Sequence, residues 1–207
     1  MTGKVTPPAE RQAPEAVLIG GSAGAIEVVS LLLETLPADF AIPIVVLVHL
    51  PRHRPSALGA ALSGRCRLAL RGPLDKEPLA PATVYLAPPD YHLLIDPGPS
   101  FALSVDEPVN FSRPSIDVLF KSAADVLGRR CAGVLVSGAN QDGARGLRAI
   151  QAAGGWVVIQ DPADAAQGAM PAAALALCPD AQVLSARGIS HWVQQLPTWQ
   201  TSRQGPK

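Results

Sequence analysis

Four short apolar runs, Ala16–Gly20, Ile44–Val48, Gly133–Val136 and Trp156–Ile159, limit what this chain can fold into more than any other feature of its sequence. None alternates with polar residues, as a strand with one wet face would, so each needs cover on both faces, the situation of a strand inside a parallel sheet. Parallel neighbours require long crossovers, usually helical, and helix-length amphipathic stretches stand where the crossovers must be. The candidates are Ala25–Leu36, Pro55–Leu62, Ser115–Leu127, Ala144–Ala153, Pro171–Ala176 and Ile189–Gln195. The expected fold is therefore α/β, a doubly wound and mostly parallel sheet with helices on both faces. One stretch breaks the rhythm. Thr83–Leu86, Tyr91–Ile95 and Phe101–Val105 are separated by the turn clusters Pro88-Pro89-Asp90 and Asp96-Pro97-Gly98, a spacing that predicts a short antiparallel excursion at one edge. There is no internal repeat.

A chain of 207 residues is the size of one such domain. Apolar residues make up 48% and aromatics only 4%, so the core is built from small aliphatic side chains. Proline-rich, polar residues 1–13 and unpatterned residues 198–207 read as loose tails around a domain at 14–197. Lysine plus arginine equal aspartate plus glutamate at 17 each, leaving no net field to attract nucleic acid. The three cysteines, Cys66, Cys131 and Cys178, form neither a CxxC pair nor a disulfide framework and read as reduced and structural. With no secretory leader and no apolar run near the ~20 residues that cross a bilayer, a cytoplasmic location without membrane insertion is expected.

The first apolar run leads into Gly20-Gly21-Ser22-Ala23-Gly24, a G-x-S-x-G pattern between a buried strand and a helix. Ser22 at such a turn would sit where helix N–H groups favour developing negative charge. The same spacing also suits a purely structural turn or a phosphate cradle. A dinucleotide fingerprint would need glycine at Ser22 and Ala25 and an acid closing the second strand, where His49 stands. A P-loop would need a lysine after the turn, and none occurs before Lys76. An α/β-hydrolase would carry its serine deeper in the chain.

His49 follows the second run directly, and Asp142 lies just past the third, in Ser137-Gly-Ala-Asn-Gln-Asp-Gly143. In a parallel sheet all three residues reach the carboxyl edge, where open α/β folds place their ligands. Singly, the histidine reads as structural and the aspartate as a helix cap. Together they are the residue types of a hydrolytic triad, defined by convergence and not by order along the chain. His49 and His53 have the four-residue spacing of a helical metal site, but Pro51 between them and the lack of an accompanying glutamate argue against a metal.

At this level of detail the chain resembles the chemotaxis protein-glutamate methylesterases (CheB-type). The resemblance is carried by Ile19-Gly-Gly-Ser-Ala-Gly24, Val48-His-Leu-Pro51, Val84-Tyr-Leu-Ala-Pro88 with His92, Arg113-Pro-Ser-Ile-Asp-Val-Leu-Phe120, Ser137–Gly143, and Gln160-Asp161 followed by Gly168-Ala-Met-Pro171, all in family order. It implies that Ser22 is the nucleophile, His49 the general base and Asp142 the acid that orients it. It further implies hydrolysis of γ-glutamyl methyl esters on chemoreceptors or similar signalling proteins, in some members glutamine deamidation, and no cofactor.

Backbone N–H groups at Ala23–Gly24 or Ala139–Asn140 are the candidate oxyanion donors, and Ser115 and Met170 are candidate neighbours of the substrate. Arg52 and Arg54 beside His49 are candidates for meeting an acidic receptor surface. The chain departs from the family at Ala23, commonly threonine, at Ala25 and Asn140, usually glycine, and at Ala139, usually methionine. Many members also carry a receiver domain that this sequence lacks, so a separate regulator is expected. An alternative is a catalytically weak or inactive module of the same fold that binds a receptor or a methyltransferase; a further one is a general esterase of small substrates.

Overall fold

The computed structural model describes residues 13–49 and 57–201. The readings placed on Arg52, His53, Arg54 and the Pro55 start of the second helix lie outside them. A main sheet is built from β1 (Ala16–Gly21), β2 (Ile44–Val48), β3 (Ala69–Arg71), β4 (Thr83–Leu86), β7 (Cys131–Leu135), β8 (Trp156–Gln160) and β9 (Gln182–Leu184). Their order is β3-β4-β2-β1-β7-β8-β9 and every pairing is parallel. The helices are α1 (Ala25–Thr35), α2 (Ala57–Ser63), α3 (Ile116–Leu127), α4 (Ala144–Ala152), α5 (Ala169–Leu177) and α6 (Ala186–Thr201).

The apolar runs are continuous because each strand supplies two cores. Val17 and Ile19 of β1, with Ile44, Val46 and Val48 of β2, face one side and pack with Val29 and Leu33 of α1, Leu58 of α2 and Trp192 of α6. Ala16, Leu18, Val45 and Leu47 face the other side and pack with Leu119 and Phe120 of α3, Leu147 of α4 and Ala174 of α5. Successive side chains on a strand point to opposite faces, so a polar residue in either series would sit unpaired in a core.

Two expectations need correction. Thr83–Leu86 does not belong to an antiparallel excursion, since it pairs in parallel with β2 and β3. The antiparallel element is β5 (His92–Asp96) with β6 (Ser100–Ser104), a separate two-stranded sheet. Its Leu93, Ile95 and Phe101 are buried in the same core as α3, and Ser122 Oγ of α3 accepts the Ile95 N–H at 3.0 Å. The last helix also starts earlier and ends later than Ile189–Gln195, so residues 198–201 continue a helix where a tail was expected. Its core face, Ile189, Trp192, Val193 and Leu196, has the spacing of a helical stripe. Ser185 supplies a cap that the apolar period does not reveal: its Oγ accepts from Gly188 N at 3.2 Å and its carbonyl from Ile189 N at 2.9 Å.

The three cysteines are free. Burial pushes the Cys131 thiol far above its ordinary range, which leaves it an inert core group. Among the described residues, no helix is long and apolar enough to cross a membrane.

The topology creates one special position. The chain leaves β1 for α1 on one face of the sheet and leaves β7 for α4 on the opposite face. Adjacent strands whose connections depart in opposite directions open a crevice at their carboxyl ends, the switch point of a doubly wound sheet. Residue 22 stands at that point.

Candidate active site

Gly21 pairs with Val48 and Gly20 with Leu135, so Ser22 and His49, each the next residue of its strand, and Ser137, two residues past β7, lie just beyond the ladder on three adjacent strands. Backbone bonds extend the register past the strands, from His49 N to Gly21 O at 3.0 Å and from Ser22 N to Ser137 O at 2.9 Å. The turn after Ser22 is sharp because Gly24, at φ 79°, caps α1 in the left-handed region. A Cβ on Gly24 would stand 2.6 Å from Ala166 Cβ and 2.7 Å from Ser137 Oγ, so glycine is required there for space as well as conformation. Ser137 then ties three segments together: its Oγ donates to Ala23 O at 2.7 Å and accepts from Gln167 N at 2.9 Å, and its N–H donates to Gln160 Oε1 at 2.9 Å.

Asp142 has no exposed surface, and its carboxylate is the best-bonded group in the site. Oδ2 accepts from His49 Nε2 at 2.9 Å and from Ile116 N at 2.7 Å. Oδ1 accepts from Ser115 Oγ at 2.8 Å, Asn110 Nδ2 at 3.0 Å and Asp117 N at 3.2 Å. Two of these donors are the first N–H groups of α3, which a helix cannot satisfy internally. Ser115 precedes α3 at the N-cap position, but its side chain does not bond its own helix. Its hydroxyl joins the N–H groups in grasping a carboxylate from 27 residues further along the chain, so Asp142 serves as the helix cap. Burial works against the charge, yet the donors from His49, Asn110, Ile116 and Ser115 outweigh it and hold the carboxyl below the usual range.

The ionised Asp142 can only accept, so the proton in their shared bond belongs to His49 Nε2, and a neutral imidazole held this way has its lone pair on Nδ1. The His49 side chain is 14% exposed, reachable from solvent yet held on one side. Among the described residues, the Ser22 hydroxyl has no hydrogen-bonding partner, and Ser22 is half-buried.

The other expected site residues are spread around this centre. Ala139 and Asn140 are exposed in the loop leading to Asp142, and Asn140 Oδ1 accepts the Asp142 N–H at 3.1 Å, an Asx turn that a glycine could not make. Ala23 is exposed and Gly24 half-buried at the start of α1. Met170 is fully buried: its side chain lies under Gly138, where an added Cβ would come within 2.6 Å of its Cε, and its N–H donates to Gly138 O at 2.9 Å. It supports the loop from below. A groove of about 400 Å³ lined by Asn110, Phe111, Ala139, Asn140, Gln141 and Ala169 opens beside this loop. Among the described residues, no group of three or more histidine, cysteine, aspartate or glutamate side chains could hold a metal ion.

Two residues escaped the sequence reading as parts of the site. Asn110 touches Asp142 directly, and it lies in a turn with no periodic signal. His92, cited only as part of a motif, is buried, accepts Ser115 N–H on Nδ1 at 3.2 Å and donates from Nε2 to Glu107 O at 3.1 Å, which fixes the approach to α3.

Comparison with known proteins identifies the family. The family model described as CheB methylesterase matches residues 17–193. A Leptospira interrogans protein with the provisional name protein-glutamate methylesterase/protein-glutamine glutaminase is 44% identical over 161 residues, covering 78% of this chain and 83% of that protein. An Anaeromyxobacter dehalogenans protein-glutamate methylesterase/protein-glutamine glutaminase is 40% identical over 170 residues, covering 82% of this chain and 50% of its own longer one. The crystal structure of the Thermotoga maritima CheB methylesterase catalytic domain superposes with a TM-score of 0.83 at 28% identity, over 89% of this chain and all of that one. The chain belongs to the CheB methylesterase family.

Proposed function

We propose that the protein is a protein-glutamate methylesterase, acting through Ser22, His49 and Asp142 on methylated glutamate side chains of a chemoreceptor. The observation that carries this reading is the His49–Asp142 bond of 2.9 Å at the strand end next to Ser22; with Asp142 ionised, a neutral His49 would offer Nδ1 as the base. In the first half-reaction Ser22 Oγ attacks the ester carbonyl carbon and its proton passes to His49. The tetrahedral intermediate then collapses with His49 returning that proton to the departing methoxide, so methanol leaves and the glutamyl group is esterified to Ser22. In the second half-reaction water attacks this ester with His49 again as base, and glutamate and free Ser22 are restored. Glutamine would follow the same course with ammonia as the leaving group. Asp142 favours the imidazolium that forms twice per cycle.

The oxyanion needs preorganised donors, each worth roughly 3–4 kcal/mol. The N–H groups of Ala23, Gly24, Ala139 and Asn140 bond no acceptor among the described residues, which supports them as candidates. Backbone donors do not depend on the side chain, so the alanine at position 139 is compatible with turnover. The test is methanol release from methylated chemoreceptor by the wild type and by Ser22→Ala. Release by the wild type alone is expected, with folding stability changed by no more than about 0.5 kcal/mol, because the lost hydroxyl holds nothing in place. Equal release from both proteins would overturn the serine mechanism, and none from either would favour a binding module of the same fold.

A further inference from the structure

The approach to α3 contains a tight turn whose purpose the mechanism above leaves open. Val109 and Ser112 exchange both backbone hydrogen bonds, at 3.1 and 2.9 Å, around a two-residue loop of Asn110 and Phe111. Both loop residues have positive φ, 52° and 61°, the pattern of a type I′ turn. Asparagine suits the first of these positions, but a bulky phenylalanine at the second, where glycine is usual, is unfavourable. The Phe111 side chain gains no burial in return, since it is fully exposed at 102%. Something other than Phe111 must hold the turn in this form.

What the turn achieves is the aim of Asn110. Its Nδ2 donates one hydrogen to Asp142 Oδ1 and the other to Asp117 Oδ2, each at 3.0 Å. Both amide hydrogens are thus used, and a flipped amide would set its oxygen against carboxylate oxygens. Asp117 is itself buried and reaches the other way, its Oδ1 accepting Gly146 N of α4 at 2.7 Å. The two carboxylates therefore share one amide group, and the oxygens it bridges lie within about 6 Å of each other, close enough to repel strongly when buried.

We infer that Asn110 is a positioning residue for the hydrolytic site, its amide keeping Asp142 in place for His49 while separating it from the buried carboxylate of Asp117. This rests on the triad reading above. Without the amide, Asp142 loses one of five donors and faces Asp117 directly. The groups around the pair are His49 from the end of β2, Asp117 from α3 and Arg145 of α4, which lines the recess formed with Asn110 and Asp117.

The experiment compares wild type, Asn110→Gly and Asn110→Asp, with Ser22→Ala as the blank. Glycine removes the amide while accepting a φ of 52° without strain, so backbone cost does not confuse the result. Two quantities are measured: steady-state methanol release from methylated chemoreceptor across pH, and the titration of the Asp142 carboxyl carbon by ¹³C NMR. Thermal melting identifies the folded variants. In Asn110→Gly, kcat is expected to fall about ten- to a hundredfold with KM unchanged, the loss of one hydrogen bond to a charged group. The Asp142 midpoint should rise by about one unit. Asn110→Asp should be worse at neutral pH and recover relative to wild type as pH falls, because a protonated carboxyl can donate where the amide did. Should glycine prevent folding, Asn110→Ser, which retains one donor, is expected to lie between glycine and wild type in both measurements.

An unchanged Asp142 midpoint in a folded Asn110→Gly protein overturns the inference, whatever happens to kcat, since a merely structural residue would lower activity without moving that titration. So does an Asn110→Asp activity ratio that stays flat with pH. Absence of methanol release by the wild type would instead refute the methylesterase reading, and the Asp142 titration would still decide the role of Asn110.

Discussion

Replacing Asp142 by asparagine exchanges one acceptor oxygen for an NH₂ group in a fully buried pocket that contains five donors and no free acceptor for it. The amide has two orientations. With its NH₂ at the Oδ1 position it meets Ser115 Oγ, Asn110 Nδ2 and Asp117 N; at the Oδ2 position it meets His49 Nε2 and Ile116 N. His49 can shed its Nε2 proton and accept, and the Ser115 hydroxyl can turn to accept, so the second orientation strands one donor, Ile116 N, and the first strands two; the second is favoured, and both consequences follow from it. One buried donor without an acceptor costs about 1–3 kcal/mol of folding stability. His49 can meet an NH₂ group only with a bare Nε2, which moves its proton to Nδ1, the nitrogen that the proposed mechanism uses as the base. The corresponding change in a serine protease triad lowers kcat about 10⁴-fold, and a loss of that order is expected here. Urea denaturation and methanol release, with Ser22→Ala as zero, read the two effects separately. A folded Asp142→Asn protein within tenfold of wild-type kcat and within about 1 kcal/mol of its stability would refute both the donor count and the tautomer argument.

Two other outcomes are expected. Because the Asp142 carboxyl is held below its unfolded value, the folded chain binds fewer protons than the unfolded chain in that range; the stability this confers is complete above about pH 4 and is lost as pH falls through the folded value. Acid denaturation of the wild type should show this component and Asp142→Asn should lack it, which equilibrium denaturation at a series of pH values will detect. Gly24→Ala adds a Cβ 2.7 Å from Ser137 Oγ at a residue with φ 79°, so left-handed strain and overpacking together should destabilise the protein by about 2–4 kcal/mol, measurable by urea denaturation.

The central strands β1, β2, β7 and β8 were legible because burial on two faces leaves an unbroken apolar run. β3 and β9 were not, since each has three residues at an edge, where exposure permits polar side chains such as Arg71 and Gln182. Ser22, His49 and Asp142 could be selected as candidates by position, because residues that end parallel strands reach one edge whatever the detailed packing. The structure brings His49 and Asp142 into contact and sets Ser22 beside His49 in register. Asn110 could not be found in this way. Its contacts depend on a turn carrying phenylalanine where glycine would have announced it, and on a partner, Asp142, that stands 32 residues further along the chain. Ser115 was legible as a helix start but not as a donor to Asp142, since nothing local distinguishes a serine that caps its own helix from one turned toward another segment.

The capping of α3 by Asp142 bears on how chains of this fold drift apart. Mutation can remove Ser22 at almost no structural cost, because its hydroxyl bonds nothing among the described residues, whereas losing Asp142 strips a buried helix end of its partner and leaves several donors stranded. A descendant that stopped hydrolysing esters would shed its serine long before its aspartate. On the proposed mechanism, an aspartate at this position attests to a folded chain, and the serine is the residue that attests to a working one.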